Sequence, residues 1–290
     1  MTTGSLDRAV VVTGASTGIG RAAVASAVRN GAHVFASVRK QADADGLKAE
    51  FGASVTPLLF DVADEAGVRA GAARVAEALG PRKLFGLVNN AGIAVPGPLL
   101  HLDTDELRRQ FEINVFGVHS VTRAFADLLG ADEARTGPPG RIVMISSVGG
   151  QNGSPFVGPY SASKFALEGY SQSLRRELML YGIDVIVIGP GAIATPIWDK
   201  AEQNDLKRFS NTAYGPAIGR VVNYMLQQGR EGLPPSAVGD LVWRCLSDPK
   251  PKVRYAILRR PFLDWRLPKM LPPRMVDRIF AQRLGFLKRS

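Results

Sequence analysis

Short runs of consecutive apolar, often β-branched residues alternate along the chain with longer segments whose apolar positions recur at helical spacing. Such runs are typical of buried strands in a parallel sheet. They lie at residues 9–13, 33–38, 55–60, 84–88, 141–145, 183–188 and 253–257. Helices are predicted at residues 20–30, 65–79, 103–129 and 157–181, with a loop at 130–140. The alternation predicts an α/β fold in which helices cover both faces of a doubly wound parallel sheet of about seven strands.

A glycine-rich loop follows the first predicted strand and leads into a helix. Gly14, Gly18 and Gly20 stand in the pattern Gly-xxx-Gly-x-Gly, with Ser16, Thr17 and Ile19 between them. Glycines permit a tight turn and the close approach of a pyrophosphate, and the helix N-terminus supplies free N–H groups. The loop therefore predicts a dinucleotide site in a Rossmann-type fold.

Basic side chains end the second strand, where an acidic residue would accept the 2′-hydroxyl of NAD. Arg39 and Lys40 instead suit a 2′-phosphate, which favours NADP(H) and leaves NAD(H) possible. The alternative is a solvated pair of loop residues. Further cofactor contacts are predicted where the third and fourth strands end, at Asp61, Val62, Asn89, Ala91 and Gly92.

Tyr160 and Lys164 stand four residues apart on a predicted helix, within the stretch YSASK. Residues at i and i+4 share a helix face. A nearby ammonium favours the phenolate and is expected to lower the pKa of Tyr160. This pair is a candidate general acid/base for exchanging a proton with a substrate oxygen.

Four motifs together resemble the short-chain dehydrogenase/reductase family: TGASTGIG, NNAG, ISS followed by YSASK, and PGAIAT. The resemblance covers residues 9–195 and, more weakly, the chain to residue 257. It implies a catalytic set of Asn114, Ser147, Tyr160 and Lys164, with Ser146 as the alternative to Ser147. It also implies that Tyr160 and Lys164 contact the cofactor, together with a loop that contains Pro190, Gly191, Ile193 and Thr195.

The resemblance is strongest to the hydroxysteroid and retinol dehydrogenase branch. It implies an oxidoreductase that acts on a lipophilic alcohol or ketone. Substrate contacts are predicted at Ser147, Gln151, Phe156, Tyr160 and Trp198. Two alternatives remain open: a reductase of acyl-thioester or polyketide β-ketones, and a non-catalytic protein that senses NADP(H).

The chain has no composition break or low-complexity linker, so a single domain is expected. We predict a catalytic domain over residues 1–257, with a helical substrate lid at about 192–230, and a C-terminal extension over 258–290. Family members are often dimers or tetramers, so the resemblance also implies a homodimer or homotetramer.

Composition bears on the cellular compartment of the protein and on whether it binds a metal. The N-terminus lacks a signal-peptide pattern, and no apolar run approaches the roughly 18 residues of a spanning helix. A single cysteine, Cys245, fits a reducing compartment, and the three histidines lack metal-ligand spacing. We therefore expect a cytoplasmic protein without a metal site.

The net charge of +10 is confined to one end of the chain. Residues 1–243 carry 23 basic and 23 acidic side chains, whereas residues 244–290 carry 13 and 3. Aromatic and aliphatic residues are interspersed in this basic segment, which indicates either packing against the domain or another subunit, or peripheral contact with an anionic membrane. Nucleic-acid binding is not expected, because no reading motif accompanies the charge.

Overall fold

The computed structural model describes residues 5–195 and 206–286 of the chain. Seven parallel strands form one sheet in the order β3-β2-β1-β4-β5-β6-β7. The strands are β1 (Ser5–Val12), β2 (Ala32–Val38), β3 (Val55–Leu59), β4 (Gly86–Asn89), β5 (Arg141–Ile145), β6 (Asp184–Pro190) and β7 (Arg254–Ile257). The predicted doubly wound Rossmann-type sheet is confirmed.

Helices cover both faces of the sheet. The helices are α1 (Gly18–Arg29), α2 (Gln41–Phe51), α3 (Glu65–Leu79), α4 (Thr104–Phe111), α5 (Gly117–Ala126), α6 (Gly158–Glu177), α7 (Gly215–Arg230), α8 (Pro235–Ser247), α9 (Leu267–Met270) and α10 (Pro273–Leu284). Apolar side chains of α3, α5 and α6 form one core with the sheet. Those of α1, α2 and α8 form a second core on the opposite face.

The long helix predicted over residues 103–129 is present as one helical run, but the structure shows two π-helical turns within it. A π-helical turn, Glu112–Phe116, separates α4 from α5, and a second one, Asp127–Ala131, follows α5. Gly130, at φ 136°, lies in the second turn. A π turn inserts an extra residue and changes the direction of the side chains that follow.

Among the helices that cover the sheet, α2 and α8 had no counterpart in the sequence prediction. The sequence of α2, QADADGLKAEF, buries only Ala44 and Leu47. That is too short an apolar stripe to stand out as a helical pattern. Helix α8 packs along α1 and buries Val238, Leu241, Val242 and Leu246 in the second core. Residues 235–247, which follow the predicted lid, therefore belong to the main body of the domain.

The carboxyl ends of the strands meet at one edge of the sheet because every pairing is parallel. Val12 pairs with Val88, and Ile145 with Ile188. The strand order reverses direction between β1 and β4. In open α/β sheets a ligand binds at such a switch point, beyond the carboxyl ends of the strands. The fold therefore brings the predicted motifs together at this edge.

Candidate active site

The glycine loop between β1 and α1 is built for close contact. Gly14 and Gly18 have φ of 63° and 57°, in the left-handed region that favours glycine. A Cβ at Gly14 would lie 2.9 Å from the Ala91 Cα, and one at Gly18 would lie 3.2 Å from the Thr195 methyl group. A Cβ at Gly20 would collide with the Gly14 carbonyl. Larger residues at Gly14 and Gly20 would therefore displace the neighbouring backbone, and one at Gly18 would press on the Thr195 side chain.

The start of α1 fits a phosphate. Its N-cap residue, Thr17, makes no side-chain capping bond, and the first turn contains no acidic residue. The first N–H groups of a helix have no partner within the helix, and they carry partial positive charge. Free donors next to tightly packed glycines match the requirements of a dinucleotide pyrophosphate.

A set of hydrogen bonds joins the glycine loop to the end of β4. Thr13 Oγ1 accepts from the backbone N–H groups of Asn90 and Ala91 at 3.0 and 3.1 Å. Asn90 Nδ2 donates to the carbonyl oxygens of Thr13 and Gly14 at 2.9 and 3.0 Å. Thr13 and Asn90 were missing from the predicted site residues. Their positions inside the TGASTGIG and NNAG motifs were the signal that could have found them.

Asn89 points to the opposite side of β4 from Asn90. Its side chain is buried, and it donates to Thr122 Oγ1 at 3.0 Å and contacts Met144 Sδ at 3.4 Å. Val62 is likewise buried, and it packs where α5 begins at Gly117. These two predicted cofactor contacts therefore engage the protein core with their side chains.

The predicted adenosine end holds a partly exposed ion pair. Arg39 Nη1 lies 3.6 Å from Asp61 Oδ2, so the residues that end β2 and follow β3 are neighbours. Lys40 is exposed at the N-cap of α2. Arg21, on α1, donates to the Ser16 carbonyl oxygen of the glycine loop at 3.2 Å. Asp61 therefore holds the Arg39 guanidinium at the predicted adenosine end.

The loop after β6 closes the other side of the site. Its backbone is anchored because Gly191 N–H donates to the Ile257 carbonyl oxygen at 2.8 Å, and Ile193 is buried and pairs with Leu233. Thr195 lies against Gly18, as the glycine contact shows. The structure thus brings the predicted Pro190–Thr195 segment to the glycine loop.

Tyr160, Lys164 and Ser147 meet at the carboxyl end of β5. Tyr160 and Lys164 lie on consecutive turns of α6, with the Lys164 Nζ 5.7 Å from the centre of the Tyr160 ring. Lys164 is buried and donates to the Ile145 carbonyl oxygen at 2.7 Å. Ser147 Oγ accepts from Gly149 N–H at 3.0 Å and donates to the Pro190 carbonyl oxygen at 3.4 Å. The arrangement places a hydroxyl, a phenol and an ammonium around one point.

Burial governs the protonation of this group. It raises the pKa of Tyr160, although a hydrogen bond with Ser147 acts in the opposite direction. The net shift is therefore opposite in direction to the lowering that was expected from Lys164. Burial also lowers the pKa of Lys164 to about 8, and the Glu168 carboxylate opposes that shift. Desolvation penalises both charged forms, so the neutral phenol is favoured.

Asn114 lies in the first π-helical turn and holds two segments of the site together. Its Oδ1 accepts from Ile93 N–H at 2.9 Å, and its Nδ2 donates to the Ile93 carbonyl oxygen at 3.1 Å. Nδ2 also lies 3.1 Å from Ser163 Oγ, which donates to the Tyr160 carbonyl oxygen at 2.7 Å. Gln110, one turn earlier, bonds the backbone of Ile93 and Val95 in the same manner. Ser163 and Gln110 were not predicted.

The two serines after β5 differ in their surroundings. Ser146 is buried, and its Oγ has no hydrogen-bond partner among the residues that the structure describes. Ser147 is 9% exposed and interacts with Tyr160. Of the two serines, Ser147 is therefore the one that interacts with the phenol.

The predicted substrate contacts are divided by the structure. Gln151 Nε2 lies 3.5 Å from Glu168 Oε2, and its Oε1 accepts from Lys269. Phe156 has a φ of 64°, which is unusual for a non-glycine residue, and its buried ring packs against Tyr214 and Phe286. Trp198 lies outside the described residues. The aromatic ring of Phe156 thus joins the cluster beneath α7 and α10.

Comparison with known proteins defines the family. The family model described as "short chain dehydrogenase" matches residues 8–206 of the chain. The chain therefore belongs to the short-chain dehydrogenase/reductase family and is an oxidoreductase with an NAD(P)-binding Rossmann fold.

Individual relatives cover nearly the whole chain. The NADPH-dependent 3-dehydrocapnine reductase of Ornithobacterium rhinotracheale is 37% identical over 278 residues, which are 96% of this chain and 97% of that protein. The 3-ketodihydrosphingosine reductase of Bacteroides thetaiotaomicron is 29% identical over 84% of this chain and 86% of that protein. A short-chain dehydrogenase structure from Streptomyces avermitilis has a TM-score of 0.74 at 27% identity, covering 96% and 97% of the two chains.

Among the described residues, no helix is both long and apolar enough to cross a membrane.

Proposed function

We propose that the protein is an NADP(H)-preferring reductase of a lipophilic ketone, with Tyr160 as the general acid. The observation that carries this proposal is the meeting of Ser147, Tyr160 and Lys164 at the same edge of the sheet as the glycine loop. The relatives named for the reduction of 3-dehydrocapnine and 3-ketodihydrosphingosine support the direction of reaction and the ketone. The basic Arg39 supports NADP(H) over NAD(H).

The proposed chemistry is ketone reduction by hydride transfer. A bound nicotinamide supplies the hydride that reaches the carbonyl carbon. Ser147 holds the carbonyl oxygen by donating a hydrogen bond, and Tyr160 transfers its phenolic proton to that oxygen as the alcohol forms. The raised pKa of Tyr160 keeps this proton on the phenol at neutral pH. In the reverse direction the phenolate would accept the proton.

Lys164 and Asn114 have supporting roles in this proposal. The Lys164 ammonium stabilises the phenolate that forms when Tyr160 has given up its proton, and it can donate to the hydroxyls of the nicotinamide ribose. Asn114 keeps the segment at Ile93 and the turn of α6 at Ser163 in register. The loop that contains Gly14, Gly18 and Gly20 would hold the pyrophosphate through its backbone N–H groups.

We further propose a homodimer or homotetramer that forms through α5 and α6. Phe116, which immediately precedes α5, and Phe165, which lies on α6, are 55% and 48% exposed. Large apolar side chains exposed on neighbouring helices are typical of an association surface. Light scattering would test this part of the proposal, and a monomer at micromolar concentration would contradict it.

The location that we propose is cytoplasmic, with peripheral contact to a membrane through the basic extension at residues 258–290. A membrane surface would concentrate a lipophilic substrate near the site. The division of the chain at residue 257 into a catalytic domain and an extension remains a prediction.

A substrate panel tests the reaction. Long-chain ketones, steroid and retinoid ketones or aldehydes, and β-ketoacyl thioesters would be screened with NADPH and NADH by nicotinamide absorbance. We expect NADPH-dependent reduction of a lipophilic ketone, and Tyr160→Phe should lower kcat about 10²–10⁴-fold, because the proton donor is lost. Thioester substrates alone, or binding of NADPH without any turnover, would contradict the proposal.

Tyr170→Phe is the matched control. Tyr170 lies on the same helix, but its hydroxyl bonds His119 at 3.1 Å. We expect this variant to keep the wild-type kcat. An unchanged kcat in Tyr160→Phe would show that another group supplies the proton.

A further inference from the structure

A buried ion pair stands one helical turn beyond Lys164. Glu168 lies on α6, and Arg254 is the first residue of β7, 86 positions along the chain. Arg254 Nε lies 2.9 and 3.2 Å from the two carboxylate oxygens of Glu168, and Nη2 lies 3.0 Å from Oε1. Only 17% of the Arg254 side chain and 8% of the Glu168 side chain are exposed. Such a pair is strongly directional because both partners are planar and forked.

The C-terminal segment covers this pair. The Arg254 guanidinium lies 5.4 Å from the centre of the Trp265 ring, and the Lys269 Nζ lies 4.1 Å from the same ring. Lys269 donates to Gln151 Oε1, and Gln151 Nε2 lies 3.5 Å from Glu168 Oε2. The tail therefore shields the carboxylate from water and adds a second cation to its surroundings.

Glu168 acts directly on Lys164. The two residues are four positions apart on α6 and share a face. The carboxylate raises the pKa of Lys164, while burial lowers it to about 8. The charge that Glu168 presents to Lys164 depends in turn on how completely Arg254 neutralises it.

We propose that Glu168 and Arg254 form a positioning pair that holds the Lys164 turn of α6 and sets the proton occupancy of the lysine. This inference rests on the proposed reductase function, in which Lys164 supports Tyr160. Neither member of the pair touches the reacting atoms, so both act through Lys164. The inference assigns a role in the reaction to β7 and to the C-terminal segment.

The charged and polar groups around Lys164 come from several elements. Tyr160 and Glu168 face it from α6, and the Ile145 carbonyl oxygen faces it from β5. Arg254 and Lys269 lie beyond Glu168, on β7 and α9. Of these, Glu168 and Arg254 carry opposite charges that can be removed one at a time.

Opposite substitutions should shift the pH profile in opposite directions. Glu168→Gln removes the negative charge and leaves Arg254, so the pKa of Lys164 should fall. Arg254→Met removes the positive charge and leaves the carboxylate, so the pKa of Lys164 should rise. For ketone reduction, we expect the alkaline limb of kcat/KM to move down by at least half a pH unit in Glu168→Gln and up by a similar amount in Arg254→Met.

Binding of NADPH gives a second readout that needs no turnover. The pH at which NADPH affinity weakens, measured by fluorescence titration, should move in the same two directions, because the Lys164 ammonium is proposed to bond the ribose. Arg254→Lys keeps the charge without the fork and should restore most of the wild-type limb. Thermal unfolding would reveal whether Arg254→Met is folded. If it is not, the comparison of Arg254→Lys with Glu168→Gln still tests the pair.

The control is Asp264→Asn, which removes a carboxylate from the exposed Arg260–Asp264 pair in the same segment. We expect it to leave both profiles unchanged. Wild-type profiles in both Glu168→Gln and Arg254→Met, or shifts of the same sign, would overturn the inference. Absence of ketone reduction in the wild-type protein would instead contradict the proposed function, while the NADPH titration would still test the pair.

Discussion

At the scale of single residues, burial decides the protonation of the candidate site. A phenol and an ammonium on adjacent helical turns suggest a stabilised phenolate, yet both side chains lose hydration in the fold. The pKa of Tyr160 is raised and that of Lys164 is lowered to about 8. The protein alone therefore favours the protonated phenol, which is the form that a ketone reductase needs.

Arg39 provides a test of cofactor choice at this scale. We expect Arg39→Ala to weaken NADPH binding about tenfold to a hundredfold and to leave NADH binding nearly unchanged. A charge-assisted hydrogen bond to the 2′-phosphate is worth about 1.5–3 kcal/mol. Dissociation constants from fluorescence titration measure both effects.

Arg69→Ala is the control for the loss of a surface guanidinium, because Arg69 pairs with Glu65 on α3. It should bind NADPH as the wild type does. Equal weakening of NADPH and NADH in Arg39→Ala would mean that Arg39 has no part in discriminating the two cofactors.

At the scale of elements, the local departures from regular structure build the site. The π-helical turn at Glu112–Phe116 lets Asn114 bond the backbone of Ile93, while α4 and α5 continue on either side. The sequence pattern predicted one helix across this turn because the backbone stays helical through it, although the inserted residue redirects the side chains that follow. π turns often occur at functional sites. Here the turn directs the Asn114 side chain towards Ile93.

The contact between the glycine loop and α1 can be tested with one methyl group. Gly20→Ala would place a Cβ against the Gly14 carbonyl oxygen and the Asn90 side chain. Overpacking of this kind costs about 1–3 kcal/mol. We expect a lower free energy of unfolding and at least tenfold weaker NADPH binding, measured by denaturant unfolding and fluorescence titration.

Gly46→Ala is the matched control in α2, because a Cβ there meets nothing within 4 Å. Alanine is the better helix former by about 1 kcal/mol, so this variant should be as stable as the wild type or more so. A Gly20→Ala protein with normal stability and normal NADPH affinity would contradict the close packing described for the loop.

At the scale of the whole molecule, the excess positive charge lies in a segment that has two different sides. Trp265 and Lys269 face the Glu168–Arg254 pair. Phe262, Arg266 and Met270 recur at four-residue spacing and are exposed, and Leu263 adjoins them. Apolar side chains next to arginine on one exposed face match an anionic membrane surface.

Vesicle binding tests this surface. The double variant Phe262→Ser/Leu263→Ser should bind phosphatidylglycerol-containing vesicles about tenfold more weakly than the wild type in a flotation assay, because burial of apolar area is lost. Binding should also fall as salt rises, because the arginines contribute through their charge. Neutral phosphatidylcholine vesicles should bind weakly in all cases.

Met179→Ser/Leu180→Ser is the control, since those two residues are 73% and 78% exposed after α6. Their replacement should not alter vesicle binding. The proposed membrane contact fails if wild type and both double variants bind anionic vesicles equally.

The sequence by itself determined the seven strands, the parallel sheet, the helices α1, α3, α4–α5 and α6, and the place of each motif between them. These features depend on local periodicity and on which residue follows which. The predicted residues Gly14, Ser147, Tyr160 and Lys164 come together because all carboxyl ends of a parallel sheet lie at one edge.

Tertiary structure alone decided the remaining properties. Asn89 and Asn90 are adjacent, yet strand geometry sends one amide to Thr122 and the other to the glycine loop. The direction of the pKa shift at Tyr160 is a sum over everything packed around it. The contact of Glu168 with Arg254 joins residues 86 positions apart. Desolvation and long-range contacts depend on the packing of distant segments, and no local pattern in the sequence records that packing.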